Sequence, residues 1–121
     1  MKVIIDGVDH SKLFHKYGMQ LQPKKRYGIN GDIALSGEKI VDLLATKNVI
    51  TLTCNSLTTK ERDILASTCA KEVVTLLYNP GGSEDEDRTI NAEPTMSSAK
   101  IKLRFGKDIF WDGAVVTMEE V

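Results

Sequence analysis

The stretch Asn55–Pro80, NSLTTKERDILASTCAKEVVTLLYNP, predicts one short helix that leads directly into a strand. The helix start is marked by Thr58, with Glu61 three residues later, which is the sequence pattern of a capping box. We expect the Thr58 hydroxyl to accept a hydrogen bond from the Glu61 amide, and the Glu61 carboxylate to accept one from the Thr58 amide. Such a cap stabilises a helix end by about 1 kcal/mol. The predicted helix covers about Thr59–Lys71.

This helix is predicted to be amphipathic, which is typical of a helix that packs on a sheet. Its apolar face carries Ile64, Leu65, Thr68 and Cys69. The strand that follows, EVVTLLYNP, has apolar residues at successive positions, so we expect both of its faces to be covered. That pattern predicts a central strand.

Alternation of apolar and polar residues predicts further strands on both sides of the helix. Three precede it: KVIID, YGMQLQP and NVITLTC. SAKIKLRF alternates most regularly, and we expect its apolar face to lie in the core. That apolar face consists of Ala99, Ile101, Leu103 and Phe105, and the opposite, basic face consists of Lys100, Lys102 and Arg104. The closing segment, IFWDGAVVTMEEV, predicts one or two more strands.

These elements predict a single, mainly β domain of the α+β kind that spans residues 1–121. We count about six to eight strands, joined mostly by short turns, and one helix. The expected fold is an antiparallel β-sandwich or a split β-barrel that carries one packed α-helix.

Two segments predict loops. The first is a long loop at about residues 23–37, Pro23–Gly37, whose three glycines and lack of periodicity indicate an extended chain. The segment KIVDLLATK that follows it fits either a short helical turn or a strand. The second is an acidic loop at about residues 80–93 that contains SEDEDR, Ser83–Arg88.

The composition limits the classes of function. With 16 basic and 17 acidic residues the formal net charge is −1, which argues against binding nucleic acid through bulk charge. The apolar run Val3–Ile5 is far too short for a signal peptide, and no run approaches the roughly 20 apolar residues of a membrane span. We therefore expect a soluble protein made in a cytoplasm. For Cys54 and Cys69, free thiols are favoured over a disulfide, which stays open.

No pattern of catalytic, cofactor-binding or metal-binding residues supports an enzyme. The acids of SEDEDR are consecutive and lack the closing glutamate of a calcium loop, which favours a solvated loop. Whether this loop meets a basic surface of a neighbour in an assembly stays open. Asp9, His10 and His15 lack the spacing of a zinc site. The two cysteines sit on apolar faces, where a nucleophile is not expected.

The order of elements resembles that of small tail and baseplate proteins of tailed bacteriophages and prophages, including the tail-tube and distal-tail families. The stretches that carry the resemblance are IIDGVDHS, VITLTCNSLTTKERDILAS, VVTLLYNP and IFWDGAVVTMEEV. It implies a β-sandwich or split barrel with one helix, assembled as a hexameric ring in the virion tail after synthesis in the host bacterial cytoplasm. It also implies no cofactor, no catalysis, no membrane, and partners that are copies of the chain and neighbouring tail proteins. DNA contact is at most non-specific, in a channel.

Candidate interface residues follow from the loop and the basic strand. We predict that the loop at about residues 23–37 is an arm that reaches a neighbouring subunit, with Tyr27 and Ile29 as apolar anchors. The candidate subunit-interface residues are Lys24, Lys25, Arg26, Tyr27 and Ile29. The basic face of Lys100, Lys102 and Arg104 is predicted to line the channel or to meet a partner.

One departure from the tail-tube pattern bears on the position in the tail. Between Leu21 and Ile40 no long alternating hairpin is evident, which favours a baseplate or adaptor role over a tail tube. Two alternatives stay open: a head–tail joining protein, and a nucleic-acid-binding β-barrel. The second would use the same basic residues as a phosphate groove and Tyr27 to stack a base.

Overall fold

The computed structural model describes the backbone of residues 1–33 and 39–121, and the side chains of residues 1–25 and 46–121. This part of the chain forms ten strands and one α-helix. In chain order they are β1 (Lys2–Ile5), β2 (Val8–Asp9), β3 (Phe14–Ile33), β4 (Lys39–Cys54), β5 (Leu57–Thr58), α1 (Thr59–Cys69), β6 (Val74–Asn79), β7 (Arg88–Met96), β8 (Lys100–Phe105), β9 (Asp108–Asp112) and β10 (Val115–Glu120).

The strands form two antiparallel sheets. The large sheet has the order β2-β1-β6-β7-β10-β4-β3, and the small sheet has the order β5-β9-β8. The predicted mainly β architecture with one helix is confirmed, and the two sheets do not close into a barrel. There are more strands than predicted because β2 and β5 have two residues each and β7 lies in the predicted acidic loop.

The core lies on one face of the large sheet. Alternate residues of the strands are buried there, as period two requires. Together with Leu65 of the helix they include Val3, Ile5, Ile50, Leu52, Val74, Leu76, Tyr78, Val116 and Met118. The prediction that both faces of β6 are covered was wrong, because Thr75 is exposed and Leu77 only half-buried on its other face.

Helix α1 begins with the predicted capping box. The Glu61 amide donates to the Thr58 hydroxyl at 3.3 Å, and the Thr58 amide donates to the Glu61 carboxylate at 3.0 Å. The helix ends at Cys69, two residues before the predicted end, and only Leu65 of its predicted apolar face is fully buried. Ile64 is exposed.

The predicted core position of the apolar face of SAKIKLRF was wrong for Ile101, Leu103 and Phe105, because all six residues of β8 are exposed, whereas Ala99, just before the strand, packs against the core. The strand is at the edge of the small sheet, and its register shifts between Ile101 and Leu103, where Lys102 is an extra residue. A β-bulge of this kind disrupts the regular side-chain alternation. Period two in the sequence therefore does not correspond to one buried face.

The prediction of a long loop at residues 23–37 was also wrong for residues 23–33, which are strand. β3 and β4 form one hairpin whose pairing runs from Phe14 opposite Cys54 out to Ile33 opposite Lys39. Residues 34–37 lie outside the described residues. The segment KIVDLLATK is strand, which decides between the two alternatives. The prediction that no long hairpin lies between Leu21 and Ile40 was therefore wrong too.

The acidic loop is shorter than predicted and covers residues 80–87, because β7 begins at Arg88. Pro94 makes this strand hard to predict from the sequence, because proline has no backbone N–H to donate and is found in sheets mainly on edge strands. The β6 ladder on one side of β7 ends at Ala92, so at Pro94 only β10 is paired. At that point β7 is locally an edge strand.

Candidate functional site

The outer part of the β3–β4 hairpin is a two-stranded arm. The β10 ladder on β4 runs from Thr53 to Val49, whereas the β3 ladder on β4 continues from Asn48 to Lys39. We call residues 23–33 and 39–48 the arm; within the described chain no third strand pairs with it. At about 3.3 Å per residue the arm extends roughly 35 Å.

The foot of the arm is attached to the end of β10. Lys24 Nζ lies 3.3 Å from Glu119 Oε1, and Lys47 Nζ donates to the Val121 carbonyl oxygen at 2.9 Å. The Lys24 side chain is more than half exposed, so this ion pair contributes little to stability. The strand pairing, rather than these contacts, positions the arm.

All five predicted subunit-interface residues lie on the β3 strand of the arm. Lys24 and Lys25 are exposed. Arg26, Tyr27 and Ile29 pair through their backbones with Ala45, Leu43 and Val41, and their side chains lie outside the described side chains. The structure thus brings these residues onto one strand instead of a loop.

The three predicted basic residues are exposed on β8, but the register shift at Lys102 places Lys100 and Arg104 on opposite faces of the small sheet, so the prediction of one basic face was wrong. Lys102 Nζ donates to Ser56 Oγ at 3.3 Å, and Arg104 Nε donates to the Gly106 carbonyl oxygen at 3.2 Å. Considering only the residues with described side chains, Lys100 and these two form no ion pair with a carboxylate. Because β8 belongs to the small sheet and the arm to the large one, the two groups of predicted residues are on different sheets.

Helix α1 and the small sheet meet at Trp111. The indole Nε1 of Trp111 donates to Thr59 Oγ1 at 3.0 Å, and the Arg62 guanidinium lies 4.2 Å from the centre of the Trp111 ring. The Arg62 Nε atom is buried without a hydrogen bond to the described chain. This joint was not predicted, because it connects residues about fifty positions apart and has no local sequence signal.

The acidic loop is held by hydrogen bonds to β6 and β1 and by one bond within the loop. Asp87 accepts from Asn79 Nδ2 at 2.9 Å and from Lys2 Nζ at 3.0 Å, and these two bonds lower the pKa of its carboxyl group. Asp85 accepts from the Gly82 amide at 2.8 Å. The loop lines a cleft with Leu21 of β3.

That cleft has a volume of about 330 Å³ and lies between the acidic loop and β3. Its apolar lining is Leu21, Tyr78 and Pro80. Its charged lining is Glu84, Asp85, Glu86 and Arg88. The charged lining thus has three carboxylates and one guanidinium.

The remaining polar candidates from the sequence are two histidines and two cysteines. His10 is buried, which lowers the pKa of its imidazole, whereas His15 is exposed and accepts from the Tyr17 amide. Cys54 and Cys69 are free thiols, and burial raises the pKa of each to about 11, which keeps a thiol protonated and unreactive near neutral pH. Within the described residues no three His, Cys, Asp or Glu side chains are grouped as a metal site requires.

In the part of the chain that the structure describes, no helix has the length and apolar character to cross a membrane. A scan against protein-family models found no match, and neither the search of curated proteins nor that of solved structures returned one.

Proposed function

We propose that this chain is a non-enzymatic structural subunit that assembles with copies of itself into a ring, in the tail or baseplate of a bacteriophage or a prophage-derived particle. The observation that supports the proposal is the arm. A two-stranded hairpin alone is marginally stable in water, and within the described chain no third strand supports this one. Contact with another subunit supplies the surface that such an arm lacks.

Further support comes from the open edges of both sheets. β3 is an edge strand of the large sheet, and β8 is an edge strand of the small sheet. The two open edges are therefore different surfaces of the subunit. Unpaired strand edges are templates for association. Contacts between two different surfaces generate closed rings when the rotation between neighbouring copies closes.

The phage assignment rests on the resemblance in the order of elements. The arm removes the reason for preferring a baseplate or adaptor over a tail tube, because that preference depended on the missing hairpin. A head–tail joining protein is the alternative position in the same particle. The proposed location is the virion tail, after assembly in the host bacterial cytoplasm.

Electron microscopy of negatively stained, purified protein tests the proposal, together with its mass in solution over a range of concentrations. We expect rings, or rings that form only when a neighbouring tail protein is added. A chain that stays monomeric at its highest soluble concentration and binds no tail protein contradicts the proposal.

A nucleic-acid-binding module is the second candidate. The observation in its favour is that Lys100, Lys102 and Arg104 are all exposed on one edge strand, with Phe105 exposed beside them. Fluorescence anisotropy with a labelled single-stranded oligonucleotide at several salt concentrations distinguishes the two candidates. Salt-dependent binding that is lost when the three basic residues are changed to alanine supports the module.

A further inference from the structure

The tip of the β8–β9 hairpin presents an exposed phenylalanine between basic residues. Phe105 is 76% exposed, and the turn that follows it is made by Gly106 in a left-handed conformation. Arg104 precedes the phenylalanine and Lys107 follows it, and both are exposed. Phe105 lines one surface cleft together with Leu103 and Phe110, and an exposed aromatic ring that continues such an apolar surface indicates an interaction surface.

The charge of this hairpin is not compensated locally. It carries four basic residues against two acidic ones, Asp108 and Asp112. Among the residues whose side chains are described, none of the four basic groups has a carboxylate within ion-pair distance. The hairpin tip is therefore an apolar knob with a basic surround.

The cleft at the foot of the arm has the complementary character. Leu21, Tyr78 and Pro80 are its apolar lining, and its charged lining of three carboxylates and one guanidinium, which we call the acidic rim, is net negative. Its volume of about 330 Å³ is several times the roughly 30 Å³ that one water molecule occupies in the liquid, so an aromatic ring fits. Glu84 and Glu86 on the rim form no ion pair within the described chain.

We propose that Phe105 of one copy of this chain inserts into this cleft of the next copy, with Arg104 and Lys107 facing Glu84 and Glu86. The proposal rests on the proposed function, because it names a contact that joins neighbouring subunits. The knob and the cleft share no residue, so the contact is heterologous and continues from copy to copy. The aromatic anchor carries most of the affinity, and the charges at the rim select and orient the partner.

Charge argues against the other surfaces of a second copy as the contact of the β8–β9 hairpin. Two β8 edges that paired with each other would place lysine and arginine side chains against those of the partner, and like charges across a strand pair are destabilising. The foot of the arm is also basic, with Lys24 and Lys25 exposed. The acidic rim of the cleft is the surface with the opposite charge.

Two variants that each remove one side of the contact test the proposal. Phe105→Ser removes the knob and keeps the cleft, whereas the double variant Glu84→Lys, Glu86→Lys reverses the rim and keeps the knob. All three positions are exposed, so we expect both variants to fold. In analytical ultracentrifugation each variant alone should associate roughly 30-fold or more weakly than the wild type, as loss of a binding hot spot predicts.

Mixing the two variants gives the most specific result. Because one retains a knob and the other a cleft, an equimolar mixture should form a 1:1 heterodimer that does not grow into a ring, as native mass spectrometry measures. Val73→Ser, which removes another exposed apolar side chain, and Glu72→Lys are the matched controls and should assemble as the wild type does.

The failures of the two proposals are distinguishable. Rings that form normally from Phe105→Ser contradict the knob-and-cleft contact and leave the ring proposal standing. Variants that associate weakly both alone and when mixed also contradict this contact. A wild-type chain that never associates, alone or with a tail protein, contradicts both proposals.

Discussion

Thr58 holds the first turn of α1 through two reciprocal hydrogen bonds with Glu61. We expect Thr58→Ala to lower the free energy of unfolding by about 1 kcal/mol, because an amide of the first turn loses its acceptor. Lys60→Ala, an exposed change in the same turn, is the control and should have little effect. Urea denaturation measures both.

The two halves of the cap are also expected to be coupled. In a double-mutant cycle, Thr58→Ala and Glu61→Ala together should cost less than the sum of the single changes, because each removes an interaction with the other residue. A Thr58→Ala variant that is no less stable than Lys60→Ala contradicts this account of the helix start.

His10 makes stability depend on pH. Burial lowers the pKa of its imidazole below the ordinary 6.5, although Asp9 opposes the shift. The unfolded chain therefore binds a proton at a higher pH than the folded chain, so stability is full above about 6.5 and falls as the pH drops through that value. Asp9, Lys12 and Glu61 are the charged residues that line the same cleft as His10.

Thermal unfolding of the wild type and of His10→Gln between about pH 7.5 and pH 5 tests this expectation. The wild type should lose stability over that range, and His10→Gln should lose less. The carboxyl groups of Asp6, Asp9 and Asp87 also have lowered pKa values. Their protonation lowers the folding stability further, but only near and below about pH 4. His15→Gln, a change at an exposed histidine, is the control. Equal pH slopes for the wild type and for His10→Gln would contradict the role of His10.

At the scale of elements, the small sheet depends on Trp111 for its attachment to α1. Strand β5 pairs with β9 at only two positions, so the bond from Trp111 to Thr59 and the stacking on Arg62 carry much of the joint. We expect Trp111→Phe to increase local opening of the β8–β9 hairpin.

Hydrogen–deuterium exchange measures that opening strand by strand. Amides of residues 100–112 should exchange faster in Trp111→Phe than in the wild type, whereas those of β1, β6 and the inner part of β4 should not change. Equal acceleration in both sheets would show that the joint stabilises the whole domain and not the small sheet alone.

Elements with a local signal could be predicted from the sequence. The capping box located α1, alternation located the inner part of β4, and short apolar runs located β1 and β6. The arm could not be recognised in this way, because the described residues at its foot, Leu21–Lys25, are all exposed and no buried face imposes an apolar period. In β8 the alternation is present, but the bulge and the edge position leave every residue exposed.

At the scale of the whole molecule, the order of strands depends on pairings between residues far apart in sequence. β10 inserts between β7 and β4, and β1 pairs with β6, and neither neighbour relation has a local signal. The same holds for the cleft, which brings Leu21 beside Tyr78 and the acidic loop. The candidate interface residues on the arm and on β8 were named from a basic cluster with two apolar anchors and from an alternating strand, and they stay predictions.

The whole-molecule account predicts a subunit whose arm is completed by a neighbouring copy. Lys25 and Thr46 are opposite each other in the hairpin, so residues 26–45 can be replaced by Asn-Gly, which closes a two-residue turn. The shortened chain keeps the core strands, the cleft and Phe105. We expect it to fold, with the circular dichroism of a β protein and a cooperative unfolding transition.

The mass of the assembled protein, measured by native mass spectrometry for the full and the shortened chain at equal concentration, tests the central claim most directly. The account predicts a closed ring for the full chain and only smaller, open species for the shortened one. A folded, shortened chain that forms rings of the same subunit number as the full chain would contradict it.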